Sequence, residues 1–167
     1  MNTNITLEAL KTAILLEIRG KAFYETVASQ ANNEEVRRIF SIMATEEQLH
    51  FDFLSQQYKD YQRNGKMTDI KPESVSGESI VKMVLNREIT SKISAAGFEA
   101  AAISAAIDME SKAIKVYSER AREAQSEEER KLFEWLAEWE QGHHKILHEL
   151  NEELKEKIWH DNQFWPF

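Results

Sequence analysis

The segment from Glu17 to Leu54 returns 93 positions further along the chain, and the two copies align without an insertion or a deletion. Glu17 falls on Glu110, Tyr24 on Tyr117, Phe40 on Phe133, Ala44 on Ala137, Glu47 on Glu140, His50 on His143 and Leu54 on Leu147. A repeat present in two copies describes a duplicated half of one structure and not a solenoid. Whatever fold the chain adopts must therefore close from two equivalent pieces.

Each piece reads as a pair of helices. Leu7, Leu10, Ile14, Glu17, Lys21, Tyr24 and Ala28 recur in steps of three and four, which predicts a helix from about Thr6 to Ala31. Val36, Phe40, Met43, Glu47, His50, Leu54 and Gln57 do the same between about Asn33 and Gln62. Only the turn Asn32-Asn33 separates them, so they form an antiparallel hairpin. A third helix is expected from about Ala95 to Ala124, and Ser126 with Glu129 makes a capping box for a fourth that extends to about Lys157. The hairpins 5–62 and 95–157 are joined by a crossover, 63–94, with a shorter helical piece near Glu78–Glu88, and an aromatic tail, 158–167, follows. Two prolines and five glycines leave the long segments unbroken, so the class is all-α and the 167 residues make one domain.

The stripes that should form the core carry charge. In EWEQGHH, residues 138–144, Glu140 and His143 occupy the line that runs from Phe133 and Leu136 to Leu147, Leu150 and Leu154. Glu17 and Glu47 lie equally far from the first turn, and Glu110 and Glu140 from the second. At a rise of about 1.5 Å per residue, antiparallel helices bring such pairs to one height, roughly 20 Å from the turn. His50 and His143 stand three residues beyond the second glutamate of each hairpin, on the same face. Buried bare, six ionisable groups would each cost several kcal/mol, whereas two divalent cations neutralise four carboxylates. With no cysteine in the sequence, carboxylate and imidazole are the only strong donors on offer. One Glu from each of two helices plus Glu-x-x-His from each of the other two is the ligand set of dinuclear carboxylate bundles.

These residues resemble the ferritin-like superfamily, and within it the rubrerythrin group. The likeness lies in Glu17-Ile-Arg-Gly-Lys-Ala-Phe-Tyr24, Met43-Ala-Thr-Glu-Glu-Gln-Leu-His50, Met109-Glu110 with Tyr117, and Glu140-Gln-Gly-His143. It covers about residues 5–157. The resemblance implies a four-helix bundle with a long crossover, and a centre of two iron ions, with manganese or a mixed pair open, held by Glu17, Glu47, His50, Glu110, Glu140 and His143. It also implies that Tyr24 and Tyr117 hydrogen-bond ligand carboxylates. Rubrerythrins usually carry a further glutamate three residues after the third-helix ligand, where this chain has Ala113. They usually carry a cysteine-ligated rubredoxin iron as well, so turnover here needs an external electron donor.

Other features favour plain readings. Glu46 and Glu138 are expected to be exposed, His144 and His148 to form a solvent-facing pair, and Lys21 to reach outward from the stripe. The small-residue run SAAGFEAAAISAA, 94–106, is read as close helix packing. Trp135 and Trp139 are expected to pack on the crossover or on another subunit, and the tail to dock on its own bundle or a partner. A net charge of −8 spread over the helices argues against nucleic acid. No run is long and apolar enough to span a membrane, and the start lacks a signal pattern, so a cytoplasmic protein is expected. The functional expectation is a rubrerythrin-like oxidoreductase or ferroxidase acting on O2 or peroxide. It is expected to be a homodimer, which the crossover would allow to exchange hairpins. An iron-storage shell subunit and a non-enzymatic, metal-stabilised helical module are the alternatives.

Overall fold

The computed structural model describes residues 3–68 and 97–161. Four helices make up the described residues: α1 Thr3–Gln30, α2 Glu34–Asn64, α3 Phe98–Glu123 and α4 Glu127–Asp161. No strand occurs among them, and the chain is an all-α four-helix bundle. The expected short helix near Glu78–Glu88 and residues 162–167 of the tail lie outside the described residues.

The helix ends follow local chemistry. Asn33 caps α2, its Oδ1 accepting from the amides of Glu35 at 3.0 Å and Val36 at 3.1 Å. Gly65 ends α2 at φ 64°, in the left-handed region that glycine enters without steric cost, and its amide donates to the Tyr61 carbonyl at 2.8 Å. Ser126 Oγ accepts from the Glu129 amide at 3.1 Å, as a capping box requires. The Glu129 carboxylate takes the amide of Gln125 at 2.9 Å, so the return bond closes one residue earlier than in the standard box.

α1 packs on α2, α3 packs on α4, and the hairpins also meet along α1 and α3. Two apolar clusters result, and the repeat relates them. One takes Tyr24, Val27, Ile39, Phe40 and Met43 from the turn end of the first hairpin and Ala102, Ile103, Leu147 and Leu150 from the open end of the second. The other takes Tyr117, Leu132, Phe133 and Leu136 from the second turn and Ala9, Leu10, Ala13 and Leu54 from the open end of the first. Each hairpin thus supplies half of both clusters.

Polar bonds stitch the hairpins at matching places. Glu99 of α3 accepts from the amides of Asn32, at 2.9 Å, and Asn33, at 3.3 Å, in the first turn. Its counterpart in the repeat, Thr6 of α1, donates to Glu129 beside the second turn at 3.1 Å. Gln57, standing where the second copy has Leu150, is buried and holds the start of the crossover. It accepts from the Thr68 amide at 3.1 Å and donates to the Thr68 hydroxyl at 3.0 Å.

Candidate metal centre

Between the two apolar clusters lies a polar layer. Glu17 and Glu110 enter it from α1 and α3, Glu47 with His50 from α2, and Glu140 with His143 from α4. None of the six is more than 4% exposed. All six residues singled out in the sequence are therefore brought together, because each sits where an apolar residue would continue its helix's stripe.

Their donor atoms form two overlapping groups, Glu17, Glu47, His50 and Glu140 in one and Glu47, Glu110, Glu140 and His143 in the other, with the atoms of each group within 4.8 Å of one another. Glu47 and Glu140 belong to both. Both rings turn Nδ1 inward. His50 Nδ1 lies 3.1 Å from Glu17, 3.6 Å from Glu47 and 3.5 Å from Glu140. His143 Nδ1 lies 3.1 Å from Glu140, 3.5 Å from Glu47 and 3.5 Å from Glu110. Above and below, Tyr24 donates its hydroxyl to Glu110 and Tyr117 donates to Glu17, each across the hairpin boundary.

Four carboxylates this close cannot all be ionised without compensation. Burial, reinforced by neighbouring carboxylates, pushes Glu47 and Glu140 well above the usual carboxylate range. Burial acts the same way on Glu17 and Glu110, but hydrogen bonds from Glu47, His50 and Tyr117 to the one, and from His143, Glu140 and Tyr24 to the other, outweigh it and bring both below that range. For His50 and His143 burial favours the neutral ring, yet the surrounding carboxylates overcome it and raise both. Burial and the carboxylates raise both phenols, which stay protonated as donors. The layer is thus held together by shared protons, in a cavity of acceptors that carries four negative charges once they leave. Two divalent cations balance that charge, and carboxylate plus imidazole is a donor set suited to first-row metals. The residues present fit such a pair.

The residues around the centre were only partly legible in the sequence. Glu46 is buried, 5% exposed, and its Oε2 lies 2.6 Å from His143 Nε2, where exposure was expected. The reason is its partner: His143 reaches across from α4 and covers it. Trp135 and Trp139 lie edge-on to the His50 ring at 5.5 and 5.1 Å, so these indoles pack on the site itself. The signal for both was in the repeat, because position 46 aligns with position 139 and holds Glu against Trp. Glu138 is exposed, as expected. Lys21 reaches Gln48 at 2.7 Å and Glu25 at 3.5 Å. The His144 and His148 rings stack with centroids 6.0 Å apart, outside the cluster, with His148 exposed and His144 half-buried. Ala102, Ile103 and Ala106 of the small-residue run are core, as close packing requires.

The rubrerythrin family model matches residues 8–150, and a second, overlapping match covers 101–163. The chain belongs to the rubrerythrin family. Neither the curated proteins nor the solved structures yield a significant match. Family membership and the buried carboxylate–histidine cluster together fit a di-iron protein. This rubrerythrin relative differs from the expected pattern at Ala113, which packs against the second apolar cluster and adds no carboxylate. Gly20 stands at the matching place in α1, where a Cβ would come 3.4 Å from the Glu47 carboxyl carbon. No helix among its described residues is long and apolar enough to cross a membrane.

Proposed function

We propose that the protein is a non-haem di-iron oxidoreductase that acts on dioxygen or peroxide, its metal ligands being Glu17, Glu47, His50, Glu110, Glu140 and His143. One observation carries the reading: the two donor groups are alike and share Glu47 and Glu140. Glu17 with His50 serves one ion, Glu110 with His143 serves the other, and Glu47 and Glu140 lie within reach of both. When bound, two adjacent iron ions supply the pair of electrons that an O–O bond takes up as it breaks.

The chain's own part is electrostatic and protonic. Tyr24 and Tyr117 each fix one oxygen of Glu110 and Glu17 and so orient both carboxylates in the layer. Metal uptake displaces the protons that Glu47, Glu140, His50 and His143 hold in the metal-free protein. The apolar clusters on both sides keep bulk water from the layer, which strengthens every charge interaction within it. Electrons come from an external donor, since the 167 residues hold no cysteine for a thiolate-ligated iron besides this pair.

Anaerobic Fe(II) titration of the metal-free protein, set beside the double change Glu47→Ala and Glu140→Ala, tests the site. Two irons per chain, lost in the variant, are expected. Rapid mixing of the loaded protein with O2 and with hydrogen peroxide then tests the chemistry. No optical change with either would overturn the enzymatic reading and leave a structural metal.

A further inference from the structure

The repeat matches every proposed ligand and both tyrosines, but among the residues that touch the ligands it differs in charge at one pair of positions. Position 46 aligns with position 139, and there one half of the chain has Glu and the other Trp. The two histidines consequently have different backs. His143 Nε2 lies 2.6 Å from the buried Glu46 carboxylate. Among the described residues His50 Nε2 is buried with no hydrogen-bond partner, its ring bounded by Trp135 and Trp139.

We propose that Glu46 is a positioning residue that makes the two ion sites unequal, so that metal fills the His143 half before the His50 half. The inference rests on the di-metal reading above. A neutral imidazole that binds a cation through Nδ1 carries its proton on Nε2. For His143 that N–H donates to a carboxylate in a dry setting, a charge-assisted bond that fixes the ring's rotation and adds electron density at Nδ1. Glu46 also adds a negative charge on the far side of that ring, drawing a cation to the same half. For His50 the N–H meets no acceptor among the described residues, and the indoles carry no charge. The ring is held by packing alone and gains nothing as a donor. Both effects act in the same direction.

The test is a Co(II) titration of metal-free protein followed by visible absorption, comparing wild type, Glu46→Gln and Trp139→Phe. Wild type should bind two ions in two steps about tenfold or more apart. Glu46→Gln should weaken the tighter step by about 10–100-fold, the usual effect of removing such a partner, and merge the two steps at unchanged stoichiometry. Trp139→Phe should leave the tighter step in place.

Proton NMR of the cobalt-loaded wild type gives a readout that needs no variant. Two exchangeable, metal-shifted imidazole N–H signals are expected, with the one hydrogen-bonded to Glu46 exchanging more slowly with water. Indistinguishable steps in the wild type, equal weakening of both steps by Glu46→Gln, or two N–H protons exchanging alike would each overturn the inference while leaving the di-metal site standing. A wild type that binds no cobalt would overturn both.

Discussion

The Tyr24 hydroxyl donates to the Glu110 carboxylate across the hairpin boundary, and the repeat returns the bond as Tyr117 to Glu17. Each first-helix glutamate thus takes a phenol from the opposite hairpin in addition to the histidine of its own, His50 at 3.1 Å from Glu17 and His143 at 3.5 Å from Glu110. Each of these phenols is fully buried in one apolar cluster and points its hydroxyl into the polar layer, so the bonds register the clusters against the site.

Removing one of these hydroxyls should therefore cost stability and not only metal affinity. A hydrogen bond to a charged group contributes about 1.5–3 kcal/mol, and Tyr24→Phe in the metal-free protein should lose about that much in urea unfolding. Tyr117→Phe should match it. The double change should depart from the sum, because both bonds belong to one network. A loss of under about 0.5 kcal/mol in either single variant would contradict this account.

The metal-free protein should lose stability as pH rises. His50 and His143 have folded values raised above the unfolded ones, so their contribution is complete below about pH 6.5 and lost on passing through the raised values. Glu47 and Glu140, also raised, hold protons that the unfolded chain releases above about pH 4.3. Glu17 and Glu110 are lowered, and their opposite contribution is confined to acid pH. Between each group's unfolded value and its raised folded value the folded state binds the extra proton, and stability falls there by at most about 1.4 kcal/mol per pH unit for each. Metal uptake releases those protons and should strengthen over the same range. Thermal melts at pH 6 and pH 8.5, with and without Fe(II) under argon, should show opposite trends.

Replacing Glu47 and Glu140 together by Gln should separate stability from function. The amides imitate protonated carboxyls that need no proton from solvent, so the metal-free variant should melt higher than the wild type at pH 8.5. Its uptake of Fe(II) should be abolished. A variant that melts lower at that pH would show that the layer's protons are not what holds it together.

Gly20→Ala should be tolerated. The new methyl meets the Glu47 carboxyl carbon at 3.4 Å, an ordinary contact, and the matching place in α3 already carries Ala113. Helix propensity alone should add about 0.5–1 kcal/mol in urea unfolding. Gly20→Val should instead displace Glu47 and weaken Fe(II) binding.

The helices, their order and the six central side chains were legible because a buried stripe has a period, and Glu17, Glu47, His50, Glu110, Glu140 and His143 fall on it. Glu46 was not, since it stands about 100° round α2 from Glu47. It is buried because a side chain from the other hairpin reaches it, and periodicity along one helix carries no record of that. The links from Thr6 to Glu129 and from Glu99 to the first turn escaped for the same reason, joining residues 123 and 67 apart with no sequence pattern between them. The Ser126 cap was legible because its chemistry is local, the hydroxyl meeting the Glu129 amide three residues on.

The mismatch of Glu46 with Trp139 also bears on symmetry. A single hairpin of this kind buries its stripe by pairing with a copy of itself, and such a pair carries the same residue at both equivalent positions. A change at either would appear in both and leave the two ions identical by symmetry. With both hairpins in one chain, one half can keep a carboxylate behind its histidine while the other carries an indole. A single chain with two hairpins thus frees the two donor groups from compulsory equality.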